Sequence, residues 1–274
     1  MVKKRAASLL VRTQLRRMLD DGHPFNRLLG RAVLLQLGRI GDEEFRQDLD
    51  RFYAGLDAAD CSRDIDLDAK ARLLSQHGGY KTDVLDLAAD RSATPGILDL
   101  WRRRFALLRH LGIRSDVLIV QEGVQIPPHG HSQVVSGFFV LQGEVGIRHY
   151  DRVREYSDHV LLRKVIDTSI GAGSYTTNSE YYHNIHWLIG RAPVSYLFRF
   201  TATDVPVRPF ASTAHHHTRD YVDPTVAPND EGLIPAQYVT EAEAKLVQYS
   251  RGAAPADPSA RADSGRLQGD VPQG

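Results

Sequence analysis

Two histidines separated by one residue lie in segment 127–131, which reads Pro-Pro-His-Gly-His. In an extended chain, alternate side chains project from the same face, so the imidazoles of His129 and His131 would lie a few ångströms apart. Imidazole binds Zn, Fe, Cu and Ni, and two such rings suit neighbouring positions on one metal ion. The other interpretation is a pair of surface histidines beside a diproline turn.

A second histidine cluster follows about fifty residues later, in segment 183–186. The run 182–188 is rich in aromatic and branched apolar residues and predicts a strand. On a regular strand, residues three positions apart face opposite sides, so only one of His183 and His186 can join the first pair. We favour His186, because the strand ends soon afterwards at Gly190 and leaves His186 near a barrel mouth. His183 is the alternative.

The elements that would position these histidines are short strands. Runs of β-branched and aromatic residues, separated by glycine-containing turns, occur at 117–120, 134–141, 145–150, 159–166, 182–188 and 194–201. Short strands at this density predict a small antiparallel barrel or sandwich rather than a parallel sheet.

The first 90 residues or so show helical periodicity instead. Pro24 is placed for the first turn of one helix, and Asp42 for the N-cap of the next. Two shorter helices are predicted over 66–74 and 83–89. The fold class is therefore α+β, with a helical N-terminal region packed on a C-terminal antiparallel β-barrel.

The predicted boundaries divide the chain into four parts. Residues 1–95 form the helical region and residues 96–210 the barrel. Residues 211–251 form a C-terminal extension with a short helix near 241–249. Residues 252–274, which are mostly Ala, Pro, Gly, Ser, Asp and Arg, are expected to be disordered because they offer little apolar surface to bury.

Composition excludes several classes of protein. The chain has 274 residues, and its longest apolar runs are about four residues, whereas a membrane-spanning helix needs roughly 20. A single cysteine, Cys61, excludes an intramolecular disulfide framework and a multi-cysteine zinc site. No apolar segment follows the first lysines, so a signal peptide is not expected and the cytoplasm is the expected compartment.

The charge balance argues against a chain that binds nucleic acid along its whole length. Lys plus Arg equals Asp plus Glu, at 34 each. Residues 1–41 are nevertheless basic, with nine Lys or Arg against two Asp. Two interpretations of this excess stay open. One is an organelle transit peptide, which is typically Arg-rich and poor in acidic residues. The other, which we favour, is a helix whose basic face meets solvent or the acidic segment 42–100.

The histidine pair, Gly143 twelve residues after it and a histidine on a later strand resemble the two motifs of the cupin superfamily, whose fold is a double-stranded β-helix. Many cupins carry a glutamate five residues after the second histidine, where this chain has Ser136. Thiol dioxygenases such as cysteine dioxygenase, cysteamine dioxygenase and the plant cysteine oxidases are cupins with three histidines and no such glutamate. Segments 126–131, 138–143 and 184–186 are similar to theirs.

This resemblance implies a set of ligands and partners. His129, His131 and His186 would hold Fe(II), or another divalent transition metal, and the chain would act on O₂ and a small-molecule substrate, a thiol. Arg103 lies where cysteine dioxygenase has the arginine that holds the substrate carboxylate. Ser136 replaces the cysteine of the animal enzymes' Cys–Tyr crosslink. Ser136 and Tyr182 are candidate hydrogen-bonding groups beside the metal.

Other readings stay open at this point. A cupin of another reaction type could cleave a carbon–carbon bond, isomerise its substrate or modify a biosynthetic intermediate. A non-enzymatic cupin could sense a small molecule, with its basic N-terminal helix bound to DNA or to a protein. The aromatic run 137–139 fits either the core or a homodimer interface. The run 215–217, three consecutive histidines, is predicted to be a surface loop.

Overall fold

The structure is a computed structural model that describes residues 15, 16, 18–20, 22–65, 81–83, 108–206 and 219–247. The predictions for Arg103, for the histidine run 215–217, for the helix over 66–74 and for the tail 252–274 lie outside the described residues. No helix in the described part of the chain is long and apolar enough to cross a membrane.

The described part of the chain before the sheets includes the helices α1 (Pro24–Gln36), α2 (Asp42–Ala54) and α3 (Ala58–Ile65). Pro24 lies in the first turn of α1, as predicted, where its missing N–H leaves no bond unmade. The N-cap prediction for α2 is wrong by one residue, because Gly41 is the cap and Asp42 begins the helix. Asp42 lies in the first turn with two glutamates, where negative charge offsets the helix dipole.

The strands form two antiparallel sheets. They are β1 (Lys81–Asp83), β2 (Ile113–Gln121), β3 (Gln125–Gly130), β4 (Val135–Gln142), β5 (Glu144–Glu155), β6 (His159–Gly171), β7 (Tyr175–Asn178), β8 (Ile185–Gly190), β9 (Val194–Ala202), β10 (Asp220–Asp223) and β11 (Ile234–Tyr238). Sheet A has the order β1-β2-β9-β4-β7. Sheet B has the order β3-β8-β5-β6, and β11 and β10 connect β6 back to β3 to close a barrel.

Strands β2 to β9 have the topology of a jelly roll. Each sheet receives four of these eight strands, and early and late strands of the segment alternate as neighbours. Jelly rolls of two packed sheets are the architecture of cupins. The predicted α+β class, with helices and an antiparallel barrel, is confirmed.

Some elements differ from the predictions. β3 contains Pro127-Pro128, and β7, β10 and β11 are short, so none of the four shows the period-2 run that predicts a strand. The helix predicted from residue 83 is wrong at its first residue, because Asp83 pairs with Asp116 of β2 and this sheet pairing overrides the local pattern. A final helix, α4 (Glu241–Leu246), lies within the predicted range and begins with a capping box.

The helices cover the outer face of sheet A through an aromatic core. Phe45 and Tyr53 of α2 pack with Phe139, Phe198 and Phe200 of the sheet. Phe138, the neighbour of Phe139, faces the opposite side and is also buried inside the molecule. These two aromatic side chains of run 137–139 therefore form core rather than a homodimer interface.

The hydroxyl of Tyr53 is inserted between two strands of sheet A. It donates to the carbonyl of Gly137 at 2.9 Å and accepts from the N–H of Phe200 at 3.1 Å. Gly137 and Phe200 are cross-strand partners of β4 and β9. A side chain of the helical region thus forms part of the hydrogen bonding of sheet A.

The space between the two sheets is apolar at one end. Val140 and Leu197 of sheet A meet Ile147 and Leu188 of sheet B there. Because side chains alternate along a strand, this layer identifies the residues of each strand that face the interior. Counting from it, Ser136 and Phe138 of β4, and Arg199 of β9, face the space between the sheets.

Candidate metal centre

Three histidine rings converge between the sheets. Each of His129, His131 and His186 offers a ring nitrogen, and these nitrogens lie within 4.8 Å of one another. The ring centroid of His129 is 4.8 Å from that of His131 and 4.3 Å from that of His186. The structure therefore brings together the three residues chosen from the sequence, and their role as metal ligands stays a prediction.

Strand register explains why these rings meet. His129 of β3 pairs directly with His186 of β8, and the register shifts between Ile126 and His129, at the diproline. His131 follows one residue after the end of β3. Neighbouring strands in register place their side chains about 5 Å apart on one face, which is the spacing that a shared metal ion requires.

Main-chain carbonyls orient two of the rings. Nδ1 of His129 lies 2.7 Å from the carbonyl oxygen of Pro127, and Nδ1 of His186 lies 3.2 Å from that of Asn184. A carbonyl only accepts, so each Nδ1 carries the proton and each Nε2 keeps its lone pair. Such a bond on the far nitrogen fixes ring orientation at metal sites.

The main chain around His131 is held by a side chain. Oδ1 of Asn184 accepts from the N–H of His131 at 3.2 Å, and Nδ2 of Asn184 donates to the carbonyl of His131 at 2.8 Å. The residue between the two histidines must be small for this contact. A Cβ at Gly130 would lie 2.5 Å from Oδ1 of Asn184 and 2.4 Å from Nη2 of Arg152.

Burial keeps the rings of His129 and His186 neutral. His129 and His186 are each 1% exposed, and His131 is partly exposed. Burial lowers the pKa of His129 well below its ordinary value, and the neighbouring His186 and His131 lower it further. Burial also lowers the pKa of His186 to about 4. Neutral imidazole is the form that binds a metal ion.

His183 does not join this cluster. It lies before β8 with a φ of 51°, and its N–H donates to Oδ1 of Asp151 at 2.8 Å. The prediction of a strand beginning at residue 182 is wrong, because β8 begins at Ile185. The left-handed backbone conformation of His183, and not strand parity, therefore sets the direction of its side chain.

Two other predicted site residues lie in the described chain. Ser136 is buried, and its hydroxyl donates to Oδ1 of Asn178 at 2.7 Å. The ring centroid of Tyr182 is 3.7 Å from that of His183, and the guanidinium of Arg46 lies 3.9 Å above the ring centroid of Tyr182. Their catalytic roles stay predictions.

His149 is a buried histidine that the sequence reasoning missed. It is the cross-strand partner of His186, and its ring centroid is 6.1 Å away. Nε2 of His149 is 3.3 Å from the hydroxyl of Thr176. The available signal was alternation, since Val145, Ile147 and His149 share one face of β5.

A partly buried ion pair lies on the opposite wall. Arg199 of β9 binds Asp116 of β2 with two bonds, from Nε to Oδ1 at 2.9 Å and from Nη2 to Oδ2 at 2.8 Å. Arg199 is also the cross-strand partner of Phe138, whose ring centroid is 5.9 Å from that of His186.

Solved structures with a similar fold include three that can be compared by name. Procruciferin, an 11S globulin from Brassica napus, is 11% identical with a TM-score of 0.31 over 46% of this chain and 25% of that chain. A cupin superfamily protein from Desulfitobacterium hafniense DCB-2 is 14% identical with a TM-score of 0.24, over 34% of this chain and 68% of that chain. The DMSP lyase DddQ from Ruegeria pomeroyi DSS-3 is 15% identical with a TM-score of 0.26, over 37% of this chain and 44% of that chain.

The match to procruciferin thus spans a quarter of that protein's length. No protein-family model matches the sequence, and no curated protein matches it. The strand order and the position of the histidines between the sheets identify the fold as that of a cupin.

Proposed function

We propose that this chain is a metal-dependent cupin oxygenase in which His129, His131 and His186 hold one Fe(II) ion. The observation that carries the proposal is the composition of the cluster, which among the described residues contains three histidines and no carboxylate. Ser136, at the position where many cupins have a glutamate, is bonded to Asn178 instead. The sequence resemblance to thiol dioxygenases supports a small thiol as the substrate.

The donor set fits a transition metal. Three imidazoles in one small space, two of them held neutral by burial, suit Fe, Zn, Cu or Ni, and do not suit Mg or Ca. When bound there, Fe(II) supplies the redox chemistry that a reaction with O₂ needs, and three protein ligands leave its other positions to substrates.

The chain itself contributes orientation. The carbonyls of Pro127 and Asn184 hold the rings of His129 and His186, and the Asn184 side chain holds the main chain of His131. Because groups of the protein alone make these bonds, the rings of His129 and His186 do not have to reorient when the metal ion and the substrates bind.

The chain also excludes water from one side. Phe138 lies against His186, and the apolar layer of Val140, Leu188 and Leu197 fills the space beyond it. His131 is the least buried of the three rings, so the open side of the centre lies near His131. Substrates would enter from there.

Metal content and O₂ uptake test the proposal. Protein purified without chelator, or reconstituted anaerobically with Fe(II), should hold about one iron per chain. It should then consume O₂ with at least one member of a panel of small thiols. Failure to bind iron at all would reject the metal centre. Bound iron with no O₂ uptake from any thiol would reject the thiol substrate and leave the metal centre standing.

A further inference from the structure

We infer that Arg199, held in place by Asp116, binds an anionic oxygen group of the substrate, so that the molecule acted on carries a negative charge beside its reacting group. This inference rests on the proposed function for the identity of the reacting centre. It assigns the charge of the substrate to a residue for which the sequence offered no role.

Arg199 faces the histidine cluster from the opposite sheet. It lies on the inner face of β9, directly opposite Phe138, and Phe138 contacts His186. Directly paired residues on one face of a sheet have Cβ atoms roughly 5 Å apart. Arg199 is therefore at the level of the histidines on the facing sheet.

The guanidinium of Arg199 is held in one orientation by Asp116. Asp116 takes Nε and Nη2, so the plane of the group is fixed by a bidentate pair. Among the described residues, Nη1 of Arg199 has no hydrogen-bond partner and is not shielded from solvent, and the side chain is 16% exposed. A fixed guanidinium with an open edge is suited to an oxyanion.

The histidine cluster itself does not repel an anion. Among the described residues it contains three imidazoles and no carboxylate. The positive charge of Arg199 therefore favours a negatively charged group in the space between the sheets.

Acetate and acetamide form a matched pair of probes, since they have the same shape and differ in charge. The experiment titrates the full-length chain, treated with chelator so that acetate has no metal to bind, at constant ionic strength. Chemical shifts of Arg199 Nε–H and of the Phe138 backbone N–H report binding. We expect both signals to move saturably with acetate and not with acetamide.

Substitutions separate binding from a purely structural ion pair. Arg199→Gln combined with Asp116→Asn removes both charges and leaves no buried carboxylate unpaired. The Phe138 signal should then show acetate affinity reduced about tenfold or more, the loss of one charge-assisted bond. Arg163→Gln, which removes an exposed charge from β6, should leave the affinity unchanged.

Two outcomes would overturn the inference. One is an equal response of the wild-type chain to acetate and acetamide, which needs no variant to fold. The other is full retention of acetate affinity in the double variant. Neither depends on iron or O₂, so failure here is distinct from failure of the proposed oxygenase activity, which metal content and O₂ uptake report.

Discussion

The main-chain carbonyl of Asn184 lies 3.2 Å from Nδ1 of His186, while the side chain of the same asparagine is bonded to both backbone groups of His131. One residue thus sets the orientation of one ring and the main-chain position of another. It also ties the turn before β8 to the end of β3, where the sheet ladder has stopped.

Replacement of Asn184 with alanine should therefore weaken metal binding about 10- to 100-fold, the range found for partners that orient metal ligands. Competition with a chelator of known affinity measures the effect. Asn229→Ala is the matched control, since Asn229 makes side-chain bonds of the same kind to the N–H groups of Glu231 and Leu233 in a distant turn. It should lower stability without changing metal affinity. Equal losses of affinity in both variants would contradict the positioning role.

The histidines themselves give the most direct prediction. Changing His129, His131 or His186 to alanine should remove most of the bound metal, measured by elemental analysis of protein purified without chelator. His183→Ala should retain it, because His183 lies in a turn bonded to Asp151 and outside the cluster. An empty site in His183→Ala, with a full site in His186→Ala, would show that the ligand assignment is wrong.

A carboxylate at position 136 should change the chemistry without removing the metal. Ser136 lies on the inner face of β4, two residues from Phe138. Ser136→Glu should supply the fourth ligand that many cupins have, and so hold metal at least as tightly while O₂ uptake is lost. The control is Ser136→Gln, which introduces a side chain of the same size as glutamate but without its charge. If both variants behave alike, steric crowding and not ligation explains the loss.

The stability of the metal-free protein should fall as the pH decreases below about 6.5. The unfolded chain takes up protons on its histidines near that pH, whereas burial holds the pKa of His186 to about 4 and that of His129 well below its usual value in the folded state. Each such residue contributes up to about 1.4 kcal/mol per pH unit. Urea unfolding at pH 7.0, 6.0 and 5.5 measures the slope.

His186→Gln should show a shallower slope than the wild-type chain, since one of the buried neutral imidazoles is gone. His110→Gln, at an exposed position, is the control and should leave the slope unchanged. An identical slope in His186→Gln would mean that this ring does not stay neutral on folding.

Much of the site could be predicted from residue spacing, because a His-x-His pair and a later histidine carry local signals. The preference for His186 over His183 agrees with the observed cluster, but strand parity does not explain it. Parity requires both residues to lie on one strand, and His183 lies before β8 in a left-handed turn. The sequence pattern does not predict a positive φ at a histidine.

The rest depended on pairing between distant segments. β10 and β11 are four and five residues long, and they exist as strands because β3 and β6 offer them partners. Arg199 and Asp116 are separated by 83 residues, and only the register of β2 with β9 places them together. Composition and periodicity do not carry such information.

Tyr53 links stability to the helical region. Tyr53→Phe leaves the carbonyl of Gly137 and the N–H of Phe200 without the hydroxyl that satisfies them, and should lower the free energy of unfolding by about 1–3 kcal/mol. Metal content should not change. Tyr156→Phe, at an exposed position, is the control and should have little effect in the same urea titration.

Gly137 belongs to sheet A by its place in the chain, and it also contacts helix α2. A Cβ there would lie 2.7 Å from Cε2 of Tyr53, so the glycine in β4 is matched to the tyrosine in α2. A side chain at position 137 is excluded by Tyr53 and also by the main-chain oxygen of Thr176, which would lie 2.9 Å from the same Cβ. A transplant of sheet A into another protein therefore has to include α2, because the hydroxyl of Tyr53 bonds the carbonyl of Gly137 in β4 and the N–H of Phe200 in β9.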